Sequence, residues 1–337
     1  MAEKKNVIEV NDLKVSFFTP AGEVKAVDGI TYSLKENEVM GIVGESGSGK
    51  SVEAFSIMGL LQGSGKVIGG SILFEGENIL EYNKDQMTDL RGNGISMIFQ
   101  NPMTCMNPVY TVGNQLMEAV TCHDKSISKE KARELAIEAL RSVGINHPEK
   151  RLDQYPHEFS GGMRQRAMIA MGLICNPKLL IADEPTTALD VTTQEQIIEL
   201  MKELQSKNKM SIIFITHNLG VVAEICDKVS VMYAGHIVEQ GKVDDIFYHT
   251  AHPYTKGLMA SMPRLDEETK ERLIPIDGTP VDLLNPPKGC CFAPRCKNCM
   301  KVCLENRPPM VKVGEDDHYS SCWLHVKEMK KEAKSHE

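Results

Sequence analysis

The stretch that decides the fold is Val39-Met40-Gly41-Ile42-Val43-Gly44-Glu45-Ser46-Gly47-Ser48-Gly49-Lys50-Ser51. Val39–Val43 is a short apolar run and reads as a buried strand, and residues 52–61 can form a helix. Between them lies the spacing G-x-x-x-x-G-K-[ST] of a phosphate-binding P-loop. Glycines let such a loop fold tightly and turn successive N–H groups inward on a phosphate chain. The helix N-terminus that follows adds its positive dipole end. In this chemistry Lys50 reaches the β- and γ-phosphates and Ser51 holds Mg²⁺. A Gly/Ser-rich linker can match the spacing by chance, but nothing would then place a strand before it and a helix after it.

Upstream, residues 7–17 and 24–34 read as two strands separated by the turn Thr19-Pro20-Ala21-Gly22. Downstream, residues 63–70 read as a glycine-rich connection, followed by short strands over 71–74 and 94–99. Gln100-Asn101-Pro102 ends the latter with turn chemistry. Residues 111–145 change to helical spacing, with Leu116, Val120, Ala132, Ala136 and Leu140 on one face, and so predict a helical insert. Ser160-Gly161-Gly162 precedes an uninterrupted helical run and reads as an N-capped helix start.

Leu179-Leu180-Ile181-Ala182 is a second buried strand, and Asp183 and Glu184 emerge at its C-terminal end, the edge where α/β sheets bind ligands. An aspartate there can hold Mg²⁺, and a glutamate one residue on can deprotonate an attacking water. A further apolar strand, residues 211–215, ends at Thr216-His217, which can reach a γ-phosphate from the same edge. Residues 228–233 and 237–240 predict a hairpin around Ala234-Gly235-His236, and residues 243–249 and 253–260 predict helices. The Pro-rich remainder reads as a small appended domain whose last stretch, from Val326 to Glu337, is a charged helix.

The chain has 337 residues and a formal net charge of −8, which weighs against a broad nucleic-acid-binding face. It contains no apolar run of membrane-spanning length, and Met1–Asn6 leads into no hydrophobic segment. A cytosolic chain with reduced cysteines is the expectation. Of its ten cysteines, Cys105, Cys122, Cys175 and Cys226 are scattered, whereas the other six lie between Cys290 and Cys322.

The ordered set Gly44–Ser51, Gln100, Ser160-Gly161-Gly162, Leu179–Glu184, Leu189-Asp190 and His217 resembles the ATPase subunits of ABC transporters. The resemblance covers about residues 6–260. Within that family the chain is similar to the D-type ATPases of bacterial oligopeptide/dipeptide importers. The narrower likeness rests on Phe159-Ser160-Gly161-Gly162-Met163-Arg164-Gln165-Arg166, with methionine where most members have glutamine. It rests also on His252-Pro253-Tyr254-Thr255 leading into a Pro- and Cys-containing extension.

The resemblance implies an α/β fold: a P-loop ABC-type nucleotide-binding domain with a RecA-like core, an antiparallel β edge and an α-helical subdomain. The ATPase domain would span residues 6–262, with the helical subdomain at about 101–176, and a Cys-rich extension would span 263–337. Phe17 would stack on adenine, with Phe18 leaving the register open. Gly44, Glu45, Ser46, Gly47, Ser48, Gly49, Lys50 and Ser51 would bind the triphosphate. Ser51, Gln100 and Asp183 would serve Mg²⁺. Glu184 would be the general base, with Gln100 and His217 assisting, and Ser160, Gly161 and Gly162 would contact the ATP held by a partner's P-loop. A P-loop and a Ser-Gly-Gly helix start on one chain cannot serve one nucleotide, so two chains head to tail would bury two ATPs and close on binding them.

Six cysteines in so short a stretch suggest a metal site, and zinc would want four closed thiolates, although only Cys296/Cys299 has C-x₂-C spacing. The resemblance maps a four-cysteine set to Cys290, Cys296, Cys303 and Cys322 and implies a [4Fe–4S] cluster, with zinc the competitor and Cys291 and Cys299 extra. The implied role is ATP hydrolysis powering oligopeptide or dipeptide uptake from the cytoplasmic face of the membrane. Partners would be an F-type ATPase, two permease subunits and a solute-binding protein, with no nucleic acid. Same-subfamily uptake of nickel or another small solute is the alternative. A soluble non-transport ABC ATPase would predict a basic patch or a second cassette, and neither is seen in the sequence.

Overall fold

The computed structural model describes residues 4–101, 105–187, 189–261, 275–314 and 317–326. In chain order the strands are β1 (Asn6–Thr19), β2 (Gly22–Lys35), β3 (Val39–Val43), β4 (Gly65–Phe74), β5 (Glu77–Asn78), β6 (Ile95–Ile98), β7 (Leu179–Asp183), β8 (Ser211–Thr216), β9 (Lys228–Tyr233), β10 (His236–Lys242), β11 (Val311–Lys312) and β12 (Tyr319–Ser320). The helices are α1 (Lys50–Ile57), α2 (Lys84–Asn93), α3 (Val112–Thr121), α4 (Lys129–Ser142), α5 (Pro148–Arg151), α6 (Gly161–Leu173), α7 (Val191–Asn208), α8 (Leu219–Ile225), α9 (Val243–Tyr248), α10 (Pro253–Ala260) and α11 (Lys301–Glu305).

The chain forms two compact units. The first comprises Met1–Ile8, Ser33–Val39 and Leu73–Ile215. Its sheet pairs β6, β7 and β8 in parallel, with Ile98 opposite Ala182 and Asp183 opposite Ile215. Every residue of these strands up to Ile215 is buried, as expected when helices cover both faces of a parallel sheet. The helical insert, α3 to α6, belongs to this unit. Thr111, Ser128 and Ser160 cap α3, α4 and α6, each side chain accepting a backbone N–H of the first turn.

The second unit comprises Glu9–Tyr32, Met40–Ile72 and Thr216–Glu337. Its larger sheet has the order β11-β12-β10-β9-β3. β3 and β9 run parallel with Val43 opposite Val231, and β9 and β10 form the expected hairpin. Ala234 (φ 49°) and Gly235 (φ 79°) give its turn the left-handed conformations that a two-residue hairpin needs. A second sheet runs β2-β1-β4.

Two expectations are corrected. The helix after the P-loop ends at Ile57, because Gly59 at φ 60° closes it. The glycine-rich stretch is strand from Gly65 onward: its glycines allow close approach, since a Cβ on Gly65 would meet the Phe17 ring at 2.7 Å and one on Gly70 the Asn11 carbonyl at 2.5 Å.

Part of the extension packs on the sheet of the second unit. Cys291 and Phe292 join a buried cluster with Val43, Val231, Tyr233 and Tyr254, and β12 pairs with β10. The expected boundary between residues 262 and 263, Ala188, and the charged helix from Lys327 onward fall outside the described residues.

Candidate functional site

In the second unit, β3 delivers the chain into the P-loop. The loop doubles back so tightly that a Cβ on Gly44 would lie 2.1 Å from the Met232 carbonyl, and one on Gly49 2.5 Å from that of Ala26. Gly49 (φ 105°) also sits where L side chains are strained, so both glycines are sterically required. Lys50 is 6% exposed and folds over the loop, its ammonium donating to the Gly44 and Glu45 carbonyls at 2.7 and 2.9 Å. Ser51 follows on the first turn of α1. These groups leave one helix start carrying a fixed cation beside inward-facing backbone, an arrangement that binds polyphosphate.

Phe17 is half-buried with its ring against Gly65, and Phe18, on the opposite face of β1, is 48% exposed. His217 lies exposed between β8 and α8 in this same unit.

In the first unit, strand register brings two expected residues together. Ile98 opposes Ala182, so two positions further on Gln100 faces Glu184. The Gln100 amide donates to Glu184 Oε2 at 2.7 Å, and the Thr187 hydroxyl donates to the same oxygen at 2.9 Å. Glu184 holds φ 47°, a left-handed conformation rare for a side chain of this kind, while its N–H donates to the Ile215 carbonyl at 2.9 Å. Asp183, one residue earlier, is 3% exposed at the end of β7. A buried aspartate, a fixed glutamate and a strand-end glutamine at one sheet edge can hold a divalent cation and orient a water.

Ser160 accepts the Met163 N–H at 3.3 Å and starts α6. A Cβ on Gly162 would come within 2.9 Å of the Thr193 methyl on α7, whereas one on Gly161 would meet nothing, leaving that side of the helix start open to a ligand. Asp190 caps α7 through the Thr193 N–H at 3.0 Å.

Three contributors were missed from sequence. Thr187 holds Glu184. Tyr254 receives the Glu45 N–H at 2.9 Å, and Arg295 grips the Glu45 carboxylate at 2.7 and 3.0 Å, so that side chain of the P-loop is engaged by protein. The signals were the His252-Pro253-Tyr254-Thr255 and Pro294-Arg295-Cys296 motifs, whose separation from Glu45 along the chain hides the contact.

In the extension, Cys290, Cys296, Cys303 and Cys322 line one small cavity together with His252 and Trp323. Burial pushes the Cys290 thiol up to about 12, and Cys291, Cys303 and Cys322 beside it add to the rise. Burial likewise raises Cys296 and Cys322. The expected metal centre is not formed as such: among the described residues no three His, Cys, Asp or Glu side chains are grouped as metal ligands.

Together, the loop, the strand-end carboxylates and the capped Ser-Gly-Gly helix define a P-loop nucleotide-binding protein. Residues 27–187 match the family model described as ABC transporter, and residues 238–303 match that of the oligopeptide/dipeptide transporter C-terminal region. Over 96% of the chain and 90% of the relative, the sequence is 56% identical to the oligopeptide transport ATP-binding protein OppD of Bacillus subtilis. It is 54% identical to the dipeptide transport ATP-binding protein DppD of the same organism, covering 95% of each. OppD of Salmonella typhimurium is 52% identical over 96% of the chain and 95% of the relative. The dimeric post-hydrolysis structure of the ATP-binding cassette MJ0796 with ADP and phosphate aligns with TM-score 0.63 and 25% identity, over 70% of this chain and 98% of that one. The chain belongs to the ABC transporter family, in the group of ATP-binding subunits that carry the oligopeptide/dipeptide transporter C-terminal region. It is an ABC ATPase.

Proposed function

We infer that this ATPase powers the uptake of oligopeptides or dipeptides across the cytoplasmic membrane. The observation that carries the reading is the pairing of an ABC cassette with the peptide-transporter C-terminal region on one chain, at 52–56% identity to peptide-transport subunits. Among the described residues no helix is long and apolar enough to cross a membrane. As a subunit of such an importer the chain would act from the cytoplasmic face, docked on two permease subunits and served by a solute-binding protein. Its nucleotide partner would be a second ATPase of the F type.

Each residue has a proposed role. Gly44–Ser51 hold the triphosphate, with Lys50 on its terminal oxygens and Ser51, Asp183 and Gln100 serving Mg²⁺. Glu184 takes the proton of the attacking water, and the fixed acceptor geometry set by Gln100 and Thr187 supports that role. His217 contacts the γ-phosphate, and Phe17 the adenine. Ser160, Gly161 and Gly162 meet the ATP held by the partner's P-loop, which the uncapped side of Gly161 accommodates. Residues 6–262 form the ATPase portion and residues 263–337 the extension.

Four thiols around one cavity fit a [4Fe–4S] cluster or a zinc ion in donor chemistry, once deprotonated by the metal. Cys290, Cys296, Cys303 and Cys322 would hold it. Such a group would supply cross-linking to a segment with few apolar residues, and no step of ATP hydrolysis passes through it.

The test is uptake by cells lacking this chain. Wild type should restore accumulation of labelled peptides and Lys50→Ala should not. Restored nickel uptake with unchanged peptide uptake would overturn the peptide reading and favour the same-subfamily alternative.

A further inference from the structure

The P-loop's second residue is gripped by the far end of the chain. Arg295 ends a single helical turn, Ala293–Arg295, and its side chain is 4% exposed. Its guanidinium forks onto Glu45, donating to the two carboxylate oxygens at 2.7 and 3.0 Å. The remaining donors are also placed, on the Asp277 carbonyl at 3.0 Å, the Ile276 carbonyl at 3.2 Å and the Tyr233 hydroxyl at 3.5 Å. The Tyr233 ring lies 5.8 Å from the guanidinium carbon. Arg295 is thus rigid and nearly dry, the setting in which a bidentate pair transmits position as well as charge.

The grip lies at the phosphate loop itself. The Glu45 N–H is held by the Tyr254 hydroxyl at 2.9 Å, and Tyr254 packs against Tyr233 and Phe292 with ring centroids 4.6 and 5.3 Å apart. Pro280 and Val281 of the extension line a small cavity with Glu45, Ser46, Gly47 and Ser48. Both the side chain and the backbone of Glu45 are therefore fixed from outside the loop. Phosphate binding by a glycine-rich nest depends on its N–H groups being aimed before the ligand arrives.

We propose that Arg295 is a positioning residue for the nucleotide: acting through Glu45, it holds the first half of the P-loop in its phosphate-binding shape, and so makes the C-terminal extension part of the nucleotide site. The proposal rests on the ATPase reading above. It predicts a defect in nucleotide affinity with little defect in the chemical step, because Arg295 touches no reacting atom.

The experiment uses the full-length chain and measures ATP affinity with a fluorescent ATP analogue, together with KM and kcat of the assembled transporter. Arg295→Ala and Glu45→Gln should each raise KM and Kd about tenfold to a hundredfold, the range that misplacement of binding groups produces, with kcat changed much less. Arg295→Lys, which keeps the charge without the fork, should recover part of the affinity. The double variant Arg295→Ala/Glu45→Gln should be no worse than either single one. Lys297→Ala, a charge loss two residues away at a side chain 78% exposed, should change nothing.

Folded variants with KM and Kd unchanged, a loss confined to kcat, or multiplicative effects in the double variant would each overturn the proposal. If Arg295→Ala does not fold, Glu45→Gln decides alone, since it leaves the fork's shape. A wild-type chain that binds no ATP would overturn the ATPase reading first, and the proposal with it.

Discussion

Replacing Glu184 by glutamine separates catalysis from binding. Glutamine keeps the length and the unbranched Cβ of glutamate, so the φ of 47° at this position costs the same in both. Glu184 Oε2 accepts from Gln100 and Thr187 at 2.7 and 2.9 Å. A hydrogen bond to a charged acceptor contributes about 1.5–3 kcal/mol and a neutral one about 0.5–1.5 kcal/mol. Neutralising the acceptor therefore weakens the two bonds by about 2 kcal/mol together, before solvent screening at this half-exposed group reduces the figure. That loss is local and leaves the P-loop untouched. The chemical step loses its proton acceptor, which is worth about 10²–10⁴-fold in rate, or about 3–5 kcal/mol of barrier. Phosphate release by the assembled transporter should fall by that factor, while titration with a fluorescent ATP analogue gives the wild-type affinity and the closed dimer accumulates with ATP. A kcat within about threefold of wild type would refute the assignment of Glu184 as base.

Lys50→Ala removes charge-assisted bonds of about 1.5–3 kcal/mol and should weaken ATP binding about ten- to hundredfold, measured by the same titration. Under the proposed four-cysteine site, the wild-type chain should carry iron and sulfide, or zinc, and serine at Cys296 or Cys303 should remove it, read by absorbance and by metal analysis; a metal-free wild type would remove the site, and metal that survives both changes would remove these cysteines as ligands. His252 is 1% exposed, and burial, reinforced by His325 and opposed by Glu239, lowers its pKa from 6.5 to about 4. Unfolded chains bind its proton first, so the contribution is fully present above pH 6.5 and drains away as pH falls towards 4. The urea midpoint should drop less between pH 7 and 5 in His252→Asn, whose side chain can still cap α10 in place of the bond from the Tyr254 N–H at 3.1 Å.

What was legible in the sequence is what local chemistry dictates. The apolar runs of β3, β7 and β8 could only be buried strands, and the residues that end them had to emerge at one edge of a parallel sheet. Ser160 announced a helix start because its side chain caps it. Residues 65–70 misled because glycine is read as a turn signal, whereas here it marks strand backbones pressed close to β1. The short strands of the extension were hidden for a related reason. Two-residue strands such as β11 and β12 carry no periodicity, and their place is fixed by pairing, β12 on β10 and β11 on β12. Glu239, in the middle of that strand, would be read from sequence as facing solvent, yet it is fully buried, because the N–H groups of Ala251 and His252 and the His318 ring converge on its carboxylate at 2.7, 2.9 and 2.9 Å.

Those buried polar contacts bear on why the extension is attached at all. Among the contacts of its described part with the rest of the second unit are Arg295 on Glu45, His318 on Glu239, and Phe292 edge-on to Tyr233 with centroids 5.3 Å apart. Each joins the extension either to the P-loop or to the β9–β10 hairpin that flanks β3, the strand feeding it. Removing one member of such a polar pair leaves the other without its partner, a penalty of about 1–3 kcal/mol. A tail held only for tethering would gain as much from apolar packing at lower risk, since buried ion pairs are poor sources of net stability. Their advantage is geometric. A forked guanidinium and a three-donor carboxylate each accept one arrangement, so the phosphate loop and the cysteine-bearing segment one residue beyond Arg295 cannot shift independently within this unit.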